Sequence, residues 1–422
     1  MKRKDIIALV FFLFFITSFF LSFFVALKVI LMGLLVVYAF AANSLKEKIN
    51  LLRQRKHLWL MLAFALIILV SFFMSSNRSD GLRFLQLRLP LLLFPISIGL
   101  LQFSKELRNK ILLGIAIIVS IGSLVSLCWA IYRFIQTDNA AWLYNDALSY
   151  LIGQQSIYTS LLVNISIYIF SYFLFFHPLS QGHKILLSLA IVFLFIISYL
   201  LASRSMMLVL YSSVLIFSFY YVLKKKKWLE GATLIMGLFI AGFMIFKFFP
   251  KTINRFRELA YTQFDYKSQE EESHYAGELT SDQWNGANFR LAAWRCGWQI
   301  FKEHPVTGVG LGDKKDELFK VYRQKGFQFA ISTNKNVHNN YLDILFSMGI
   351  IGLLVFITGW IFLPLLQFIR NKDGLALLML ITFSIAMLTE NYFDRSIGGL
   401  LFGFFIPFLL TTNSKTVTEK MD

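Results

Sequence analysis

The sequence predicts an all-α polytopic membrane protein with about twelve transmembrane helices and one large loop on the outer side. Of the 422 residues, 57% are hydrophobic and only 15% are charged, whereas a soluble domain is usually about 45–50% apolar and about 25% charged. About 240 hydrophobic residues would fill roughly twelve spans of about 20 residues each. The long apolar windows do not alternate as the strands of a transmembrane β-barrel do. This composition excludes a soluble enzyme, a disordered chain and a disulfide scaffold.

Twelve apolar windows of span length define the predicted helices. We expect nine of them within 6–249 and three within 340–413, separated by a polar loop at 250–339, in one membrane domain over 1–422. The windows are 6–22, 24–42, 58–74, 89–103, 111–135, 156–176, 185–202, 205–223, 229–249, 341–369, 374–392 and 396–413.

The formal net charge of +17 is explained by topology rather than by nucleic acid, because Lys and Arg collect on the cytoplasmic side of membrane helices. With the N-terminus inside, the inner segments hold 20 Lys and Arg residues and the short outer segments hold six. The run Lys224–Lys227 is the clearest inner marker. Both termini are therefore predicted to be cytoplasmic, and no nucleic-acid partner is expected.

The polar loop is long enough to carry a function of its own. It holds 13 basic and 11 acidic residues, so its charge is nearly balanced. Within it, 288–304 is predicted to be an amphipathic helix, with Trp294 and Trp298 at the depth of the lipid headgroups. Its apolar residues are Phe289, Ala292, Ala293, Cys296, Ile300 and Phe301.

Ionisable residues at the membrane level are costly, which makes them functional candidates. Four lie on the predicted outer side: Arg204, Arg290, His338 and Glu390. Arg88, at the start of the fourth window, is a weaker candidate.

Each of these residues also has a structural interpretation. Arg204 could be an interfacial arginine that reaches to the headgroups, and Arg290 an ordinary loop charge. His338 and Asn339 could simply cap the following helix. Glu390 could pair with Arg395.

Taken together, the candidates favour a site for a diphosphate. Two guanidinium groups can bind phosphate oxygens through paired hydrogen bonds and stay charged. The helix that begins near His338 presents its positive end to an anion. The same dipole disfavours an imidazolium, so we expect His338 to be neutral, as a general base must be.

Other patterns predict no further chemistry. The glycines at 308, 310 and 312 lack the spacing of a dinucleotide fingerprint and the Lys-Ser/Thr of a phosphate loop, so they favour a tight turn after Pro305. The acidic run Glu270–Glu272 could bind a divalent cation, but such runs are usually solvated. No His and Cys set has zinc spacing. We therefore predict no metal and no cofactor.

Four sequence motifs resemble the O-antigen ligase and polymerase superfamily of bacterial membrane glycosyltransferases, most closely over about 200–400. They are Ser203-Arg204-Ser205; Asn288-Phe289-Arg290 with Trp294, His304-Pro305 and the glycines up to Gly312; His338-Asn339-Asn340-Tyr341-Leu342 with Gly349 and Gly352; and Thr389-Glu390 with Gly398 and Gly399.

The resemblance implies a multi-pass protein of the bacterial inner membrane, with loop 250–339 in the periplasm. The donor would be a glycan on undecaprenyl diphosphate, used without nucleotide sugar or metal. Arg204 and Arg290 would hold the diphosphate, and His338 would activate the acceptor hydroxyl, with inversion at the anomeric carbon. Further substrate contacts are expected from Arg88, Asn339, Tyr341, Glu390 and Arg395.

Several reactions would share this donor site. A ligase transfers the glycan to a lipid A–core sugar, a polymerase to another lipid-linked repeat, and an oligosaccharyltransferase to a protein hydroxyl. The compact Arg and His set favours the ligase. The segment Gln154–Tyr158 lacks the His that many relatives have before the Tyr, which leaves the acceptor open. A transporter of the lipid-linked glycan is the alternative from another class; it should show polar groups in broken helices at mid-membrane, whereas the candidates here lie at one face.

Overall fold

The computed structural model describes residues 3–20, 25–226, 228–248, 256–257, 260–270, 272 and 283–412. In these ranges the regular structure is helical, and the β-type pairing is a single bridge between Glu272 and Trp284. Residues 1–2, Lys227 and 413–422, which the topology prediction also used, lie outside the described residues.

Eleven helices precede the large polar loop, and seven lie in or after it. They are α1 Arg3–Thr17, α2 Val25–Ala42, α3 Leu45–Gln54, α4 Lys56–Met74, α5 Arg78–Ile96, α6 Lys105–Thr137, α7 Asn145–Leu148, α8 Ser156–Phe176, α9 Gln181–Leu201, α10 Arg204–Lys225 and α11 Trp228–Phe248, then α12 Asn288–Glu303, α13 Lys314–Lys325, α14 Gln328–Ser332, α15 Asn340–Phe356, α16 Leu363–Arg370, α17 Gly374–Thr389 and α18 Ser396–Leu409. A π-helical turn, Ile357–Phe362, joins α15 to α16. These counts refer to the described ranges alone.

Every predicted apolar window overlaps a helix. Among the described residues, six helices are long and apolar enough to cross a membrane, and a seventh span is formed if the bent pair α2 and α3 counts as one. Four shorter apolar helical stretches are Asp5–Phe20, Arg204–Tyr220, Gly374–Thr389 and Ser396–Leu409. The chain is therefore an all-helical membrane protein, while the total of twelve crossings and the sidedness of the loop stay predictions.

The apolar side chains pack into two main cores. The larger core joins the membrane-type helices, where α5 packs on α18, α15 on α4, and α17 on α8 and α10. The smaller core lies between the loop and α15. In it α12, α13 and α14 pack around Trp284, Tyr322 and Phe327, and side chains from the start of α15 complete it. The apolar stripe of α12 belongs to this second core: Phe289 and Cys296 are buried in it. The loop is thus a packed helical layer, which fixes where its polar residues lie.

The glycine run after α12 docks this layer onto α15. The amides of Val309 and Gly310 donate to the carbonyls of Phe346 and Ser347 at 3.0 Å each. Gly349 has φ +68°, and a side chain there would collide with the carbonyl of Val306. Only glycine combines this dihedral with so close a backbone approach. The structure agrees with a tight turn rather than a nucleotide loop.

Candidate active site

His338 stands in the turn that leads into α15. Its φ is +46°, a left-handed conformation that is uncommon for a residue other than glycine. The amide of His338 donates to Oδ1 of Asn336 at 3.0 Å, which holds this turn. The ring packs edge-on against Phe289, with 5.6 Å between the ring centroids. About 20% of the side chain is exposed, so the ring is fixed but reachable, and strain of this kind clusters at functional sites.

Glu390, which directly follows α17, lies beside this imidazole. Its Oε2 is 2.9 Å from Nδ1 of His338, and the carboxyl is buried. Burial by itself raises the pKa of the Glu390 carboxyl, but His338, Arg290 and Arg395 outweigh it and lower the pKa below its ordinary value. An ionised Glu390 accepts a hydrogen bond from Nδ1–H of His338. The other ring nitrogen, Nε2, is then unprotonated and can take a proton from a substrate.

Arg290 lies in the first turn of α12 and connects three parts of the site. Its Nε donates to the carbonyl of Thr389 at 3.0 Å, next to Glu390 in the chain. Its Nη1 donates to the carbonyl of Gly286. The guanidinium is only half-buried. Arg290 is thereby held next to the His338–Glu390 pair.

Arg204 reaches the same place from another direction. It begins α10, directly after Ala202 ends α9 with a left-handed φ of +48°. A Cβ added to Gly286 would collide with Nη2 of Arg204 and would lie 2.9 Å from Nη1 of Arg290. The two guanidinium groups, 86 positions apart in sequence, therefore meet over the backbone of Gly286.

Asn339 and Tyr341 have identifiable structural roles in the same segment. Oδ1 of Asn339 accepts from the amides of Tyr341 and Leu342 at 3.0 Å each, so Asn339 is the N-cap of α15. The amide of Asn339 donates to Oδ1 of Asn391 at 2.8 Å. The hydroxyl of Tyr341 donates to the carbonyl of Ser384 at 2.9 Å. Both side chains also line a groove of about 740 Å³ between α12 and α15, and their substrate contacts stay predictions.

Arg395 is exposed and immediately precedes α18. It is one of the charges that lower the pKa of Glu390. The hydrogen-bond partner of the Glu390 carboxylate, however, is His338. Glu390 therefore belongs with the imidazole rather than forming the Arg395 pair that the sequence left open.

The O-antigen ligase family model matches residues 189–357. This range is an O-antigen ligase domain. It contains Arg204, Arg290, His338, Asn339 and Tyr341. No curated protein matches the chain.

The O-antigen ligase domain confirms the resemblance seen in the sequence motifs. Members of this family are membrane glycosyltransferase-like enzymes, which implies a lipid-linked glycan donor and a glycan acceptor. Glu390, Arg395 and Arg88 lie outside the matched range. Glu390 nevertheless completes the site, because its carboxylate contacts the domain's imidazole.

Arg88 lies in a buried charge cluster, away from the two other arginines. Its side chain is 0% exposed, and Nη2 is 2.7 Å from Asp343 and 3.3 Å from Asp394. Lys314 contacts the same two carboxylates at 2.8 and 2.5 Å. No substrate group can reach a guanidinium enclosed in this way. We therefore infer that Arg88 fixes the loop layer to α5 and α15, in place of the substrate contact predicted for it.

Several neighbours of the site were not singled out by sequence. Gly286 gives the two arginines room, Phe289 supports the imidazole, and Asn391 holds the turn before α15. Tyr158 and Tyr392 pack edge-on with 5.1 Å between centroids, and both hydroxyls are buried without a hydrogen-bond partner among the residues that the structure describes. An acid within an apolar window is itself a signal, so Asp343 could have been found from the sequence. In the described part of the chain, no three His, Cys, Asp or Glu residues are grouped as metal ligands would be.

Proposed function

We propose that this protein transfers a glycan from an undecaprenyl diphosphate carrier to an acceptor hydroxyl at the periplasmic face of the bacterial inner membrane. Within this reaction class we favour an O-antigen ligase, whose acceptor is a lipid A–core sugar. The observation that carries the proposal is the meeting of Arg204 and Arg290 over Gly286, directly beside the His338–Glu390 pair.

Arg204 and Arg290 bind the diphosphate in this proposal. A planar guanidinium donates two parallel hydrogen bonds to phosphate oxygens, and it keeps its charge at every physiological pH. When the bond between the anomeric carbon and the phosphate oxygen breaks, negative charge accumulates on the departing diphosphate. Two fixed cations at that point stabilise the transition state more than the ground state.

His338 acts as the general base. Nε2 takes the proton of the acceptor hydroxyl while the oxygen attacks the anomeric carbon from the side opposite the diphosphate, so the configuration inverts. Glu390 holds Nδ1 and stabilises the imidazolium as it forms. The proton can then pass to solvent or to the released diphosphate, which returns the site to its starting state. The two arginines supply the positive charge, so the proposed step needs no metal or cofactor.

Reconstitution of the purified protein tests the chemistry. The protein is mixed with glycan on undecaprenyl diphosphate and with lipid A–core, and transfer is followed by glycolipid gel and mass spectrometry. We expect the wild type to catalyse transfer. The transfer rate should fall on the order of 10²-fold in Arg204→Lys and in Arg290→Lys, because a lysine ammonium lacks the paired, planar donors of a guanidinium. The control is Arg323→Lys on the exposed side of α13, which should retain activity. Near-normal rates in both site variants would refute the donor role.

Deletion of the gene in its source organism tests the acceptor. Bare lipid A–core with long glycan still on the carrier supports the ligase. Core that carries a single repeat indicates a polymerase, and an unchanged glycolipid ladder indicates a protein acceptor or another pathway. Glycan that accumulates on the inner face of the membrane would indicate a transporter and contradict the proposal.

A further inference from the structure

An open groove runs between α12 and α15. Its volume is about 740 Å³, within the range of small-molecule sites. One wall is α12 and the other is α15, and Leu342 and Leu345 at its base also belong to the smaller core. The apolar lining residues are Leu291, Trp294, Trp298, Leu342, Leu345 and Leu353.

The polar lining of this groove is basic. Arg295, Lys302 and Lys325 reach it, and the described residues that line it include no carboxylate. The nearest acid on the same helix, Glu303, accepts a hydrogen bond from Gln299 at 3.4 Å. Lys302 is exposed, so its ammonium can meet a ligand at the groove edge. An apolar trough with three cations complements an amphiphile that has an anionic head.

The groove also lies where a membrane surface would be. α15 opens the candidate span Asn340–Arg370, so the groove begins at the end of a membrane helix. The side chain of Trp298 is 50% exposed, while Trp294 donates from Nε1 to the carbonyl of Val337 at 3.0 Å. Tryptophans placed in this way are typical of the membrane interface.

We propose that this groove binds an anionic phospholipid of the surrounding membrane. An acyl chain lies along the leucines and Trp298, and the phosphate lies against Arg295, Lys302 and Lys325. Basic pockets beside membrane helices bind anionic headgroups in this way. The bound lipid would hold α12 against α15, and thus Arg290 near His338, without itself taking part in the transfer.

The lipid site is separate from the proposed donor site. Arg290 turns toward Thr389 and Gly286, whereas Arg295 and Lys302 lie one to three turns further along α12. Binding can therefore be measured without any transfer reaction, so its failure and that of the proposed function are distinguishable.

Quenching of Trp298 tests the proposal in the full-length protein. The protein is kept in a neutral detergent and titrated with phosphatidylglycerol brominated on its acyl chains, or with brominated phosphatidylcholine. The signal of Trp298 is the difference between the wild type and Trp298→Phe. We expect half-maximal quenching at an at least tenfold lower concentration of the anionic lipid than of the zwitterionic lipid.

The charges are tested by substitution. The triple variant Arg295→Gln, Lys302→Gln, Lys325→Gln should lose the preference for the anionic lipid. A control triple that removes the same charge outside the groove, Lys315→Gln, Lys320→Gln, Arg323→Gln, should keep it. The single change Lys302→Glu, at an exposed position, should weaken anionic binding even if the triple variant does not fold.

Three results would overturn the proposal. Equal quenching by the two lipids in the wild type would mean that the cations do not select a headgroup. An unchanged preference in Lys302→Glu and in the triple variant would place the anion elsewhere. Displacement of the brominated phosphatidylglycerol by equimolar undecaprenyl diphosphate or lipid A would mean that the groove belongs to a substrate instead of a membrane lipid.

Discussion

The chain contains two sets of charges at the membrane level, and they differ in exposure. The buried charge cluster pairs Arg88 and Lys314 with Asp343 and Asp394, and all four side chains are almost fully enclosed. The candidate site gathers Arg204, Arg290 and His338, which are only partly buried, around the buried carboxylate of Glu390. The linker between α17 and α18 touches both sets, through Glu390 in one and Asp394 in the other.

The exposure of the charged groups distinguishes a set with a structural role from a set that can bind a ligand. In the cluster each positive charge contacts two carboxylates, which offsets part of the cost of burying it. Because at most 10% of each side chain is exposed, the cluster is closed to a ligand. In the site the ends of the two arginines occupy the room that a side chain at Gly286 would take, and both residues are only partly buried. An arginine within an apolar window therefore indicates function only when its guanidinium can be reached.

The largest expected effect is on catalysis, from His338→Ala. Removal of the general base should lower the transfer rate on the order of 10³-fold, and the thermal midpoint should also fall, because the buried Glu390 carboxylate loses its hydrogen-bond partner. The measurement is the initial rate with the reconstituted substrates. His304→Ala, an exposed histidine at the end of α12, serves as the control and should be fully active. Substantial activity in His338→Ala would remove the histidine from the mechanism.

The cluster should show the opposite pattern. Asp343→Asn leaves Arg88 and Lys314 buried with one charged partner, and we expect a loss of about 3 kcal/mol or more in the free energy of unfolding. The measurement is a denaturant titration in mixed micelles. Glu317→Gln, which removes only a surface pair with Lys320, should cost less than about 1 kcal/mol. Similar losses in the two variants would contradict the buried role.

Glu390 and Asp394 offer the sharpest contrast, because they lie four residues apart. Glu390→Gln keeps an oxygen that can face Nδ1 but loses the charge that stabilises the imidazolium. The turnover number should fall on the order of 10²-fold, with a changed pH profile and an unchanged donor KM. Asp394→Asn should lower the stability instead and leave the rate per folded molecule nearly intact. If both variants affected the same property, the two regions would not be distinct.

A smaller effect is expected from Gly286→Ala. The added methyl group would displace the ends of Arg204 and Arg290, which are flexible enough to move. The donor KM should rise about tenfold, the effect of roughly 1.4 kcal/mol of lost binding, while the fold is retained. Gly182→Ala is the matched control, since nothing lies within 4 Å of its added Cβ. An unchanged donor KM would argue against a diphosphate between the two arginines.

The smallest effect concerns pH. The pKa of Glu390 is lower in the folded chain than its ordinary value of 4.5, so its contribution to stability is present above pH 4.5 and is lost as the pH falls through the folded pKa. Asp394 behaves alike: burial raises its pKa, but Lys314 and Arg88 outweigh this and lower it below 3.8. Thermal midpoints between pH 6 and 3 should therefore fall less steeply in Glu390→Gln than in the wild type. If the thermal midpoints of the two proteins fell in parallel, the ionised Glu390 carboxylate would not be stabilised by its neighbours in the folded protein.

The all-helical class could be predicted because long apolar runs favour helices, which satisfy their own backbone hydrogen bonds. The window 156–176 coincides with α8, and 288–304 differs from α12 by one residue. The candidates Arg204, Arg290 and His338 were also identified from their type and position. What they contact could not be predicted: Glu390 is 52 residues from His338, and the sequence offered Arg395 as an equally good partner. Arg88 shows the same limit, because a lone arginine in an apolar window looks identical whether it faces a ligand or a buried Asp343.

The long separation between the partners of Arg88 has a consequence for synthesis. Asp343 follows it by 255 residues, so at about 5–20 residues per second the ribosome needs on the order of 10–50 s to deliver that carboxylate. During this interval α5 already carries its cation. Arg88 must then stay in contact with water or lipid headgroups, so α5 reaches its final depth only after the second half of the chain has been made.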